Sequence, residues 1–428
     1  RRNQEITAEY ESFRGFVQPS NFPQPFYRFG NNAVTKERFE LGRKLFYDPL
    51  LSSNNTISCG SCHIQTSAFT HHGHAVSHGI FDRMGTRNSP PIMNLAWQPK
   101  LMWDGGIFDL DLQPLAPISN HVEMGETMDH VLEKLRQTTK YPGLFKSAFG
   151  TEEITTTRFL KALSQFMLMC ISADSRYDKY VRKEAGGELN STELAGMQVF
   201  QQKCASCHAG ELFTDQTYRN NGLKITNSED VGRAAISLND ADKYKFRVPS
   251  LRNVAQTFPY MHDGRLGTLE DVLNHYETGV QPHAYTDPLL KGGIALSATE
   301  KTQIIAFLNT LTDTQFLKKG RSIHSVYITA KPKTASKTAK NSDSGVSKQK
   351  TVEIPTNIVK QPENAKKDDL GHRASKITGL IMSNGLADRF KRGDESVMDM
   401  MKRIKEEITT EATADQWENK LEEFGVVF

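Results

Sequence analysis

Cysteine is scarce, with five residues in 428. That excludes a disulfide-stapled scaffold, which needs several pairs in a short chain. Long apolar runs are missing too. None approaches the roughly 18 residues that a bilayer-spanning helix requires, so no transmembrane segment is expected. Charge of one sign is not in excess, with 53 Lys and Arg against 50 Asp and Glu. The net charge of +3 offers no footprint for nucleic acid. Little reads as strand. No leader-peptide pattern opens the chain, and Arg1-Arg2-Asn3 reads as the start of a processed one.

Four of those cysteines fall in two short motifs. The first is Ser58-Cys59-Gly60-Ser61-Cys62-His63, and the second is Cys204-Ala205-Ser206-Cys207-His208. A bare Cys-x-x-Cys suits half a zinc site or a redox pair. A His directly after the second Cys, repeated twice, points instead to attachment of two haem c groups. The thiols Cys59, Cys62, Cys204 and Cys207 would add across haem vinyl groups as thioethers. His63 and His208 would then be the proximal iron ligands. Cys170 is left on an apolar helix and reads as a small buried hydrophobe. Haem c is attached outside the bacterial cytoplasm, so a periplasmic location is expected.

The fold class expected is mainly α, with two cytochrome c-like haem domains and a polar, disordered C-terminal tail carrying a short helix. Residues 1–34 form an arm, broken by Pro19, Pro23 and Pro25. Residues 35–184 form the first haem domain. Thr35 caps a helix to about Tyr47, and another helix over Arg158–Ile171 carries an apolar stripe. Residues 185–316 form the second haem domain. A helix starts at Asn190 or Ser191, and another opens on the capping box Ser297-x-x-Glu300. Residues 317–428 form the tail. Positions 331–376 are Lys-, Ser- and Thr-rich and read as disordered, and Val397, Met400, Met401, Ile404 and Ile408 mark an amphipathic helix.

Further motifs carry a resemblance. Leu41-Gly42-Arg43-Lys44-Leu45-Phe46-Tyr47-Asp48, Gly85-Thr86-Arg87-Asn88-Ser89-Pro90, Trp103-Asp104-Gly105 and Val122-Glu123-Met124-Gly125 follow in order. Phe246-Arg247-Val248-Pro249-Ser250-Leu251-Arg252-Asn253 and Pro259-Tyr260-Met261-His262-Asp263-Gly264 complete the set. Over about two-thirds of its length the chain resembles the bacterial di-haem cytochrome c peroxidase and MauG family. The resemblance implies a peroxidatic N-terminal haem and an electron-relaying C-terminal haem. It implies that Trp103 bridges them and that Glu123 is the distal acid/base, with Gln113 and Pro117 in the same pocket. It implies a Ca²⁺ held by the Asn88 side chain and the carbonyls of Thr257 and Pro259, a set of oxygen donors that suits this ion. Arg247 and Arg252 are candidate partners of haem propionates.

Two positions separate the branches of the family. His78-Gly79 matches the dipeptide whose His caps the N-terminal iron in resting peroxidases, one residue short of the usual spacing. Nearby His71, His72 and His74 could compete with it. Tyr276 falls where peroxidases carry a Met ligand to the C-terminal iron and MauG carries Tyr. Leu269, Val272, Leu273 and Tyr276 share one helical stripe. Met261 is the rival ligand.

The leading expectation is an enzyme that reduces hydrogen peroxide to water with electrons from a small donor protein, a cytochrome c or a cupredoxin. A MauG-like oxidase acting on residues of a partner protein is the alternative. A non-catalytic di-haem electron-transfer cytochrome is the second alternative. A homodimer is compatible with either enzyme.

Overall fold

The structure is a computed structural model that describes residues 13 and 15–318, and beyond them 377, 390, 400, 403, 404, 406–408 and 411–422. It divides into two compact units, Arg1–Ile328 and Thr329–Phe428. The expected disorder over 331–376 lies outside the described residues, as do Val397 and Met401.

The first unit is mainly helical. Helix α1 (Lys36–Phe46) starts where the Thr35 side chain accepts from the Arg38 amide, and Arg43 and Lys44 complement its C-terminal end. Helices α2 (Met128–Gln137) and α3 (Tyr141–Phe149) follow. Helix α4 (Thr156–Leu168) is capped by Thr155 and ends three residues before the expected Ile171. Farther on come α5 (Ser191–Lys203), α6 (Leu269–Asn274) and α7 (Ala298–Asn309). All three open on reciprocal capping boxes, Asn190/Glu193, Thr268/Asp271 and Ser297/Glu300. Among the described residues the strand content is one antiparallel pair, β1 (Tyr218–Arg219) and β2 (Phe246–Arg247), with Tyr218 opposite Arg247.

The helix crossings repeat. α1 lies across α4 at Gly42, where an added Cβ would sit 1.9 Å from the Ala162 carbonyl oxygen. α5 lies across α7 at Gly196, where an added Cβ would sit 1.9 Å from the Gln303 carbonyl oxygen. Four residues after each glycine a phenylalanine meets its partner helix. Phe46 packs on Phe166 at 4.7 Å, and Phe200 packs on Phe307 at 5.3 Å. Two apolar clusters result, one around Phe39, Phe46 and Phe166, the other around Phe200, Phe213 and Phe307. Trp97 and Cys170 are core residues of the first, Cys170 as expected. Gly196→Ala will force the α5/α7 crossing apart and cost about 1–3 kcal/mol, the usual penalty for overpacking. Urea denaturation followed by circular dichroism measures it.

The second unit has its own buried apolar side chains, among them Ile377, Phe390, Met400, Ile404 and Leu421. Residues 400, 403 and 404 are helical, in line with the expected amphipathic segment. A further helix, α8 (Glu411–Glu422), was not foreseen. Its Trp417 ring meets Phe390 at 5.5 Å.

Candidate active site

The first haem motif begins about a dozen residues after α1 and forms one short helical turn, Cys59–Cys62. His63 follows, with Nδ1 2.6 Å from the Phe69 carbonyl oxygen. A carbonyl only accepts, so Nδ1 carries the proton and Nε2 is left bare for a metal. The second motif repeats this, with His208 Nδ1 3.1 Å from the Phe213 carbonyl oxygen. Phe69 and Phe213 both adopt left-handed backbone, φ 61° and 53°, which turns each carbonyl toward its histidine. Burial lowers the pKa of both imidazoles and keeps them neutral, the form that ligates iron.

The thiols point away from redox or zinc chemistry. Burial pushes Cys59 up to about 12 and Cys204 up to about 11, so neither is a ready thiolate. Among the described residues no group of three or more His, Cys, Asp or Glu could hold a metal ion.

Each motif opens onto a cavity. The first, of about 580 Å³, is lined by Cys59, Cys62 and His63 together with Gln113, Pro117 and Glu123. Asn120 Nδ2 donates to Glu123 Oε1 at 2.7 Å. Burial raises the Glu123 pKa above the ordinary carboxylate value, and the Asn120 bond partly opposes that. Gln113 Nε2 lies 3.9 Å from the Met102 sulfur.

The second cavity, of about 510 Å³, is lined by Cys204, Cys207 and His208, and by both rival ligands, Tyr276 and Met261. Tyr276 does not sit in a continued α-helix. α6 ends at Asn274, and Tyr276 lies in a π-turn, His275–Gly279. Such turns gather at functional sites. Protein encloses the phenol and pushes its pKa up to about 12. Asn88, Thr257 and Pro259 border this same cavity. The Asn88 amide donates to the His74 and Ala75 carbonyls, at 3.3 and 3.0 Å, so its Oδ1 is the acceptor left to offer.

Trp103 and Arg247 line both cavities. Trp103 Nε1 donates to the Asn88 carbonyl at 2.8 Å, and its own carbonyl accepts from the Arg247 amide at 2.7 Å. Gly105 (φ 69°) is required beside it, because an added Cβ would meet the Tyr218 hydroxyl at 1.8 Å. The Arg247 side chain is buried, and its Nε and Nη1 have no hydrogen-bond partner. Orphaned guanidinium nitrogens facing two cavities call for carboxylates such as haem propionates. With the bare imidazoles and paired thiols, the residues fit two haems.

Two expectations fare differently. Arg252 does not reach either cavity and is not a propionate partner. Its Nη1 and Nη2 grip the Asp178 carboxylate at 2.9 and 2.8 Å, both side chains being fully buried, and its Nε donates to the Glu211 carbonyl. A buried fork already saturated by one carboxylate has nothing to offer another. His78 stands apart from both linings. Its Nδ1 lies 2.6 Å from Asp82 Oδ1, with 35% of the side chain exposed. The glycine after it has a local reason, since a Cβ at Gly79 would sit 2.1 Å from the Val122 carbonyl oxygen. That packing lays the His78 loop against the segment that carries Glu123.

Asn120, Phe69 and Phe213 were missed. A single Asn or Phe leaves no pattern in sequence.

Two cavities of this chemistry, sharing one tryptophan, define a di-haem redox protein. A profile of the family described as di-haem cytochrome c peroxidase matches residues 36–186. The methylamine utilization protein MauG of Methylorubrum extorquens is 34% identical over 300 residues, covering 69% of this chain and 83% of that protein. The cytochrome c551 peroxidase of Nitrosomonas europaea is 33% identical, covering 66% of this chain and 83% of that protein. A solved MauG-like protein associated with microbial copper homeostasis superposes with a TM-score of 0.65 at 33% identity, over 71% of this chain and 97% of that one. The chain belongs to the di-haem cytochrome c peroxidase and MauG family.

Proposed function

We propose that the chain is a peroxide-reducing enzyme that draws electrons from a small donor protein, a cytochrome c or a cupredoxin. The observation that carries this is Trp103, which lines both cavities while Glu123 lines only the first. When bound, the two haems supply an iron that takes up peroxide and an iron that holds an electron. The overall change is one peroxide, two electrons and two protons to two waters.

The chain's residues do the rest. Cys59, Cys62, Cys204 and Cys207 would attach the groups, and the Nε2 atoms of His63 and His208, left bare by the bonds at Nδ1, would ligate them. Glu123 takes the proton from one peroxide oxygen and returns it to the departing one, a task for a carboxylate of raised pKa. Gln113 hydrogen-bonds the bound peroxide. Arg247 pairs with propionate. Trp103 couples the two sites, being large, polarisable and oxidisable. Asn88, Thr257 and Pro259 hold Ca²⁺ at the edge of the second cavity. The functional halves are residues 35–184 and 185–316, and the protein works in the periplasm.

Tyr276 and the surface pairing of His78 with Asp82 favour a second reading, the MauG-like one. An N-terminal iron left uncapped would meet peroxide without prior reduction, and a residue of a partner protein would then be the reductant.

Cys204→Ala with Cys207→Ala tests the proposal. The variant will retain one covalent haem by pyridine haemochrome assay and lose donor-driven peroxide consumption. Retention of two covalent haems, or of donor-driven turnover, contradicts it.

A further inference from the structure

The two rival ligands of the second cavity are tied to one residue, Met261 through its side chain and the turn that carries Tyr276 through its backbone. Asn221 borders the cavity. Its Nδ2 donates to the Met261 sulfur at 3.2 Å. Tyr276 lines the same cavity.

The backbone fixes this arrangement from both sides. The Asn221 carbonyl accepts from His275 Nε2 at 3.0 Å, one residue before Tyr276. The Gly222 carbonyl accepts from the Gln281 amide at 2.8 Å, just past the π-turn. Gly222 (φ 71°) allows this approach, since a Cβ there would sit 2.5 Å from a Val280 methyl. Met261 is held in left-handed backbone as well, φ 76°, so its side chain leaves from a constrained point.

We infer that Asn221 is a positioning residue that selects the axial ligand of the second haem, engaging the Met261 sulfur and so leaving the place to Tyr276. The inference rests on the reading of Tyr276 as that ligand. Thioether sulfur is a weak acceptor with little to spare once an N–H points at it. The amide therefore disarms the soft ligand and leaves the hard one unopposed. Removing it frees Met261 to compete with Tyr276.

The test is spectroscopic and uses the haem-loaded full chain. Asn221→Leu keeps the bulk and removes the donors, and Asn221→Ala gives the same readout if the leucine variant does not accumulate. Wild type is expected to show resonance Raman modes of iron-bound tyrosinate. In the variant those modes will fall and a near-infrared His/Met charge-transfer band will appear. Adding Met261→Leu will remove that band. Tyrosinate modes that persist undiminished in both variants, with no near-infrared band, overturn the selector and leave the Tyr276 reading standing. Absence of tyrosinate modes from the wild type overturns the Tyr276 reading itself, and the inference with it.

Discussion

Tyr276→Met will raise the midpoint potential of the second haem by on the order of 200–300 mV. A phenolate is a hard anionic donor and stabilises ferric iron, whereas a thioether stabilises ferrous iron and raises the potential. At about 1.4 kcal/mol per 59 mV for one electron, the shift is roughly 5–7 kcal/mol of differential stabilisation. Tyr276 is placed to exert it, enclosed by protein at the edge of the cavity that holds His208. The substitution decides whether this haem readily accepts electrons or stores oxidising power. A methionine here is expected to make the second haem a readier acceptor of donor electrons. Spectroelectrochemical titration of the two proteins reads the shift directly. A wild type already at high potential, with a near-infrared His/Met band, would make Met261 the ligand.

Glu123→Gln will lower peroxide turnover by about 10²–10⁴-fold, the usual worth of a positioned general base. Glutamine keeps the size and accepts from Asn120 as the carboxylate does, but it takes no proton. Burial raises the Glu123 pKa, so the ionised base is lost at a higher pH than for an exposed carboxylate. Turnover in the wild type will fall as pH drops through that raised value, and the variant will lack this limb. Stability runs the other way. A carboxyl whose folded pKa lies above its unfolded one favours the folded state while protonated, and that contribution is lost as pH rises through the folded pKa. Glu123→Gln should therefore not destabilise the protein near neutrality. Steady-state rates over pH, set beside thermal melts, separate the two effects.

How much of this was legible depends on what leaves a trace in residue type. The capping residues Thr35, Asn190 and Ser297 were readable because a side-chain acceptor must precede a helix. The haem motifs were readable because thiol and imidazole chemistry tolerates few substitutes. Arg247 and Arg252 show the opposite case. They lie five positions apart in one motif, yet one is orphaned between two cavities and the other is locked to Asp178. That carboxylate is 74 residues away in the chain, and no local pattern announces it. The carbonyls of Phe69 and Phe213 are similar, since backbone groups carry no residue-type signal. Tyr276 was placed by the resemblance, with α-helical periodicity in agreement, and does line the cavity, but the turn that carries it is π. α8 was missed because its apolar stripe is thin. Its described side chains are mostly polar, with Leu421 buried among them.

The most direct test of the central claim is the stoichiometry of hydrogen peroxide consumption by the fully haem-loaded protein with a reduced small cytochrome c as donor. The account predicts two donor molecules oxidised per peroxide, with the rate set by Glu123. A protein that exchanges electrons with the donor yet consumes no peroxide, with or without prior reduction, would be an electron-transfer cytochrome and would contradict the account.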